Sequence, residues 1–476
     1  MLVRSALYGV VFLVCVATFA RVRSRGIRQA VLLAGSYVLY LSWGRWFGVV
    51  LIASTVMNFL LGQWLRRKPT ASVLAIGIGL NLALLGVFKY LPEGAVSASW
   101  LQPFAGLVLP LGMSFWTFQA MSYLFDLYRG EELDPSFVEF ASYMVFFPVA
   151  VSGPICRMPD MLPQFRSQER TPRNEIGRGF ARIATGVLMM QLARLLGQGI
   201  LSGDGINSGF DRVTRWSGLD VWCLAFGFGL QLFFDFAGYS HIAIGAAQAL
   251  GFTVPENFER PLHSTTPSIF WTRWHMSLSF WIRDYVFLPV AMMRRGMLWR
   301  NLTLVLSMVL FGLWHRATIL FLLWGCYHGV LLVLHRQIQQ VQSKLKWDPP
   351  AAIWTLVSWL VTISLISLGW ILFRAGSMAQ AREMFGAVFT PSSYFSHLVS
   401  GSLYVLVLAV AAGYGMVLLI NDWLERHGDT RSAIATTLAR NRWYWLPPAY
   451  LLTLLIVLMV THTENTFAGQ LMYRRF

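Results

Sequence analysis

The stretch Phe-Trp-Thr-Arg-Trp-His-Met-Ser-Leu-Ser-Phe-Trp-Ile-Arg-Asp-Tyr, residues 270–285, decides how this chain is read. It is too polar for a simple membrane span and too aromatic for a free loop. Trp271, Trp274, Phe280 and Trp281 call for burial, while Arg273, His275, Arg283 and Asp284 need polar partners once buried. Further on comes Phe-Gly-Leu-Trp-His-Arg-Ala-Thr (311–318) with His315, then Leu-Leu-Trp-Gly-Cys-Tyr-His-Gly (322–329) with His328. A polar cluster set in apolar sequence is a functional hypothesis by default, because hydrocarbon penalises polar groups heavily. The segment 253–300 is expected to pack against a helical bundle and to line a cavity.

Composition sets the frame. Of the 476 residues 56% are hydrophobic and only 13% charged, with 20 Trp and 34 Phe. Ordinary soluble domains carry about 25% charged residues, so the expectation is an all-α polytopic membrane protein. The first apolar run flows into Arg21, Arg23, Arg25 and Arg28 without a small-residue cleavage site, which marks it as a retained span rather than a signal peptide. The net charge of +16 lies mostly in short loops, as cytoplasmic loops require; no nucleic-acid partner is implied. A basic face would also attract anionic lipid headgroups or a polyanionic cosubstrate. Cys15, Cys156, Cys223 and Cys326 are far apart and lack metal or disulfide spacing.

A spanning helix needs roughly 20 mostly apolar residues. Candidate spans are 5–20, 29–43, 46–65, 71–90, 104–127, 137–155, 180–201, 219–250, 301–334, 352–373, 403–424 and 443–461. The run 29–43 is short enough for a half-span, and 137–155 ends in the breakers Ser152-Gly153-Pro154. About eleven crossings with re-entrant segments are expected. Basic clusters at Arg21 to Arg28, Arg66 to Lys68, Arg166 to Arg182, Arg294 to Arg300 and Arg426 to Arg442 belong on the cytoplasmic side. The regions 92–103, 202–218 and the tail 462–476 then lie outside.

In one continuous helix over 301–334, His315 would sit roughly 22 Å beyond Arg300, near mid-membrane. An imidazole there serves either as a general acid–base or as a hydrogen-bonded structural group. His328 would point about 220° around from it and about 20 Å along. That favours a structural or outer-side role for His328 unless the helix breaks; Gly325 and Gly329 permit a break. His275 is the better partner for His315, or else an interfacial residue of an aromatic belt. Arg273, Arg283 and Arg294-Arg295 suit phosphate recognition or membrane anchoring, the anchoring reading being stronger for Arg294 and Arg295 than for Arg273. Asp235 and Asp126, each in apolar sequence, are expected to pair structurally with arginines. No nucleophile elbow, phosphate loop, dinucleotide fingerprint or zinc-spaced pair occurs.

Many short motifs in order resemble the membrane-bound O-acyltransferase family, in particular the bacterial branch that includes the alginate O-acetylation membrane protein. They are Leu-Pro-Leu-Gly-Met-Ser-Phe-Trp-Thr-Phe-Gln-Ala-Met-Ser-Tyr (109–123), Phe-Phe-Pro (146–148) and Ser-Gly-Pro-Ile-Cys-Arg (152–157). Next come Phe-Asp-Phe-Ala-Gly-Tyr-Ser (234–240), Pro-Glu-Asn-Phe (255–258), Arg-Trp-His-Met-Ser-Leu-Ser-Phe-Trp (273–281) and Gly-Leu-Trp-His (312–315). Trp324-Gly325, Tyr-His-Gly (327–329) and Gly-Trp-Ile-Leu-Phe-Arg-Ala (369–375) complete the set. The chain departs from the branch at His241, Arg316 and Thr272.

The resemblance implies a single transmembrane domain over 1–476, with tilted helices and re-entrant segments around a central tunnel. Its core would be 104–375, its peripheral helices 1–90 and 400–461, and its outer tail 462–476. It implies catalytic roles for His315 and His275. An acyl-CoA, taken as acetyl-CoA, would bind at Arg273, Trp274 and Arg283, with no metal. The aromatic tail 471–476 makes Tyr473 either a covalent acyl relay or an interfacial anchor. The expected reaction moves an acyl group across a bacterial inner membrane to an exported or cell-envelope polysaccharide, with a periplasmic SGNH-type acetyltransferase as partner. D-alanyl or lipid acyl transfer, a proton-coupled transporter and a passive scaffold are the alternatives.

Overall fold

The computed structural model describes residues 2–94, 102, 104, 106–200, 203–212, 215–345 and 350–428. Among them there is no strand, only an isolated bridge between Phe258 and Trp274. In chain order the helices are α1 (Leu2–Arg21), α2 (Arg25–Trp43), α3 (Arg45–Arg67), α4 (Ala71–Gly94), α5 (Met113–Tyr128), α6 (Phe137–Met144), α7 (Met158–Arg166), α8 (Arg173–Gln198) and α9 (Ile206–Arg212). They continue with α10 (Gly218–Ala249), α11 (Pro267–Arg273), α12 (Met276–Ile282), α13 (Leu288–Met292), α14 (Met297–His315), α15 (Ile319–Leu345), α16 (Ala351–Arg374), α17 (Met378–Phe389) and α18 (Gly401–Arg426). Among the described residues eight helices are long and apolar enough to cross a membrane. The expected span 443–461 and the tail with Tyr473 lie outside the described residues.

Contacts divide the chain into two units, one of Leu2–Gly186 and Tyr239–Ile363, the other built from Val187–Gly238 and Ser364–Phe476. In the second unit Asp220, at the start of α10, accepts the amides of Leu398 (2.8 Å) and Val399 (3.3 Å) and the Tyr404 hydroxyl (2.5 Å). On α18, Val405, Leu408 and Leu419 are more than 60% exposed. That is unfavourable in water but ordinary against lipid tails.

The first unit holds the described residues of the candidate site, His275 and His315 among them. Its α5 is buried on nearly every face, a pattern that belongs to an interior helix. Among the described residues of the run 104–127, the α-helix begins at Met113, after a turn at Gly112. Gly112 has φ +72°, and a Cβ there would stand 1.9 Å from the Ala150 carbonyl oxygen; only glycine fits. The run 137–155 is a short helix, α6, followed by turns through Gly153, as its Ser-Gly-Pro ending suggests. Helix α2, in which the run 29–43 lies, has 19 residues and is not one of the helices long and apolar enough to cross a membrane. It extends back through Arg28, which donates to the Ser167 and Glu169 carbonyls and lies over the Phe19 ring at 4.3 Å. Between α3 and α4, Asn58 and Asn81 exchange amide hydrogen bonds of 2.7 and 3.1 Å.

The largest departure from expectation is at 301–334. It is not one helix: α14 stops at His315, and α15 starts at Ile319 and runs back along it. A Cβ on Gly312 would lie 2.2 Å from the Phe321 carbonyl oxygen, one on Gly325 2.4 Å from that of Met308, and one on Gly329 2.8 Å from the Val305 Cα. These three glycines let the two backbones touch, as small residues do between membrane helices.

Glu139 ties the basic residues of this unit together. It caps α6 in a capping box with Ser136 and is bonded by Arg25 and Arg166. Burial opposes its ionisation, but the hydrogen bonds from Arg166 and Ser136 outweigh that and hold the carboxyl below its ordinary value. Its stabilisation is therefore present above about pH 4.5 and fades as pH falls through the lowered folded value. Glu139→Gln should cost on the order of 2 kcal/mol at neutral pH. The gap in melting temperature between variant and wild type, measured in detergent, should narrow below that pH.

Candidate functional site

The site begins at the break between α11 and α12. Trp274 and His275 separate the two short helices, and His275 adopts φ 44°, ψ 52°, the left-handed region. For a non-glycine residue this costs roughly 1–2 kcal/mol, so the surroundings must impose it. Asn257 does so. Its carbonyl accepts the Met276 amide (2.9 Å), and its side-chain oxygen accepts the Ser277 hydroxyl (2.7 Å). On the other side of His275, the Arg273 carbonyl accepts the Glu259 amide (3.0 Å). The Asn257 amide donates to Ser240 (3.1 Å), and Ser277 receives the Ile155 amide (3.0 Å). Asn257 is fully buried.

This clamp turns the His275 ring toward α14. It lies 6.2 Å from the Phe311 ring and 6.3 Å from the Trp314 ring. His315, the last residue of α14, meets the same two rings at 5.4 and 4.7 Å. The structure thus brings together the two histidines that the sequence singled out. Both are buried, His275 1% and His315 7% exposed. Phe321 and Trp324 of α15 complete the surround of His315 at 6.2 and 5.9 Å. Beneath, Phe118 of α5 contacts Trp281 (4.5 Å) and Trp314 (5.3 Å), while its carbonyl accepts the Trp281 indole N–H (3.0 Å). Each such ring pair adds roughly 0.5–1.5 kcal/mol beyond area burial, and Phe118 joins the two segments that carry the histidines.

The remaining candidates sit differently. Trp274 is buried against Phe258 (5.1 Å) and Phe270 (5.4 Å). Arg273 is half-buried. Arg283 is exposed, lies over Phe280 at 4.7 Å and donates to Asp284 (2.6 Å). Asp284 also takes Arg157 at 2.7 Å. Burial opposes its charge, yet the bonds from Arg283 and Arg157 hold its carboxyl below the ordinary range. Asp126, expected to pair with an arginine, accepts the Tyr285 hydroxyl at 2.7 Å, with the charges of Arg157 and Arg129 nearby. Asp235 is half-buried in α10.

His328 is fully buried against Trp271 (5.2 Å) and Trp324 (4.9 Å). Because α15 runs back along α14, it lies level with Val305 and not beyond His315. The expectation of an outer-side position followed from one straight helix and falls with it. Among the described residues no three His, Cys, Asp or Glu side chains converge as metal ligands.

Two contributors were not singled out from the sequence. Asn257 was seen only as part of a motif. Lys89 was passed over, although a lone cation near the end of an apolar run was the available signal.

Helices long and apolar enough to cross a membrane, with His275 and His315 buried among them, fit a multi-pass membrane protein. The chain belongs to the membrane-bound O-acyltransferase family, whose model matches residues 96–374, and it is an O-acyltransferase. A probable alginate O-acetylase of Pseudomonas aeruginosa is 30% identical over 85% of this chain and 80% of its own length. A peptidoglycan O-acetyltransferase of Helicobacter pylori is 28% identical over 74% and 72%. A teichoic acid D-alanyltransferase of Bacillus subtilis is 29% identical over 56% and 69%.

Asn257→Ala removes the side-chain half of the clamp, keeps the main-chain carbonyl that accepts the Met276 amide, and leaves the Ser240 and Ser277 hydroxyls without their Asn257 partner. It should destabilise the protein by about 2–3 kcal/mol and lower acyl transfer by more than the loss of folded protein explains. An unchanged melting temperature would show that the side-chain bonds of Asn257 are not what holds this segment.

Proposed function

We propose that this protein takes an acetyl group from acetyl-CoA on the cytoplasmic side of a bacterial inner membrane and passes it outward for O-acetylation of an exported or cell-envelope polysaccharide. The observation that carries this reading is the packing of His275 and His315 against the same pair of rings, in a chain of this family. In the proposed step His315 accepts the proton of an acceptor hydroxyl. The oxygen attacks the thioester carbonyl, the carbon–sulfur bond breaks, and the leaving thiolate takes the proton back from the imidazolium. General acid–base catalysis of this kind is worth about 10²- to 10⁴-fold. His275, held by its strained backbone, orients the acyl carbonyl. Arg273 and Arg283 offer charge to the phosphates of the donor, a role that charge-assisted hydrogen bonds suit, and Trp274 is proposed as the third donor-binding residue.

Relatives named for alginate, peptidoglycan and teichoic acid support an envelope polymer as the acceptor class. A periplasmic SGNH-type transferase is proposed to finish the transfer, with Tyr473 as candidate relay. The test uses purified protein in detergent or liposomes with acetyl-CoA, following free thiol release and acetylation of the polymer. His315→Ala, properly inserted, should lose at least about 100-fold, and His275→Ala should lose activity as well. Full activity in His315→Ala would refute the assignment. Turnover only with a carrier-protein thioester would favour D-alanyl transfer.

A further inference from the structure

The end of α14 is held from another helix. The last carbonyls of any helix lack amide partners within it. Here the Gly312 carbonyl takes the Arg316 amide at 3.3 Å, and the next two are met by consecutive residues of α4. The Tyr90 hydroxyl donates to the Leu313 carbonyl at 3.2 Å, and the Lys89 ammonium donates to the Trp314 carbonyl. The same ammonium stands 4.9 Å over the Trp314 ring, and Lys89 is only 9% exposed.

A lysine on an apolar span is costly and usually stretches toward water at the nearest helix end. This one is turned inward onto the negative end of a helix dipole, where a cation is favoured. The Trp314 carbonyl and the His315 amide share one rigid peptide plane. Holding that carbonyl fixes the plane from which the His315 side chain departs. Holding the Trp314 ring fixes the surface that the imidazole packs against. We propose that Lys89, assisted by Tyr90, is a positioning residue for His315, a clamp from α4 that sets the end of α14 and the aim of its terminal imidazole. The functional weight of the clamp rests on the proton-handling role given to His315 above.

The test compares Lys89→Met, Lys89→Arg, Tyr90→Phe and His315→Ala in the full chain in detergent. Acetyl-CoA turnover gives kcat and KM, and hydrogen exchange reads the amides of residues 312–318. Lys89→Met should lower kcat on the order of tenfold to hundredfold, as misplacement of a catalytic group does. KM for acetyl-CoA should stay within about twofold, because ground-state binding is untouched, and amides at the end of α14 should exchange faster. Lys89→Arg should recover most of kcat, since a guanidinium can meet both the carbonyl and the ring. Tyr90→Phe should show a smaller loss of the same kind.

Wild-type kcat and exchange in Lys89→Met would overturn the proposal, as would an arginine variant no faster than the methionine one. Should Lys89→Met fail to fold, Tyr90→Phe with unchanged kcat and exchange would overturn it equally. Full transfer by His315→Ala would instead overturn the catalytic reading, while the exchange rates would still decide whether Lys89 clamps the helix end.

Discussion

The backbone contact between α14 and α15 is the constraint on which the site depends. At Gly312, Gly325 and Gly329 there is no room for a Cβ without displacing main-chain atoms of the partner helix. Lipid tails are as apolar as leucine, so two such helices gain little from hydrophobicity and must gain from close packing. The hairpin they form leaves His315 at its turn. It also brings Phe321 and Trp324 back against the imidazole and sets His328 one aromatic ring away. Bulk at any of the three positions would separate the helices and dismantle that surround.

The second half of the site follows a different logic. α11 and α12 are too short to be held by their own hydrogen bonds, so their geometry is imposed by polar groups. Asn257 supplies them from both its main chain and its side chain, and nearly all its capacity is used on residues that flank His275 or brace it. The strain at His275 is tolerable because several bonds must break together to release it. The outcome is a titratable ring fixed in direction inside an apolar wall. Under the proposed acyl-transfer role, preorganisation of that kind is the advantage over water, since no reorganisation is needed as charge develops.

Much of this was legible beforehand. The charge deficit and the spacing of apolar runs indicated a helical membrane protein. The polar residues inside aromatic sequence marked His275 and His315 before any contact was known, and Ser152-Gly153-Pro154 announced the broken segment after α6. Other features were hidden for physical reasons. The run from 301 to 334 is interrupted near its middle by the polar pair His315-Arg316, and neither of these is a helix breaker of the kind that Gly or Pro is. Lys89, inside the candidate span 71–90, drew no reading of its own because nothing local distinguishes a lysine that reaches water from one that reaches a carbonyl.

The sequence by itself determined the class of protein and the identity of the polar groups that an apolar interior must justify, since both depend on composition and on the cost of burying charge. Only the tertiary structure decided that the chain reverses after His315, that His328 returns alongside α14, and that α4 reaches across to hold its end. Those outcomes depend on contacts between residues far apart in the chain, where steric fit at a few glycines and the pairing of individual polar atoms choose among folds that hydropathy leaves equally open.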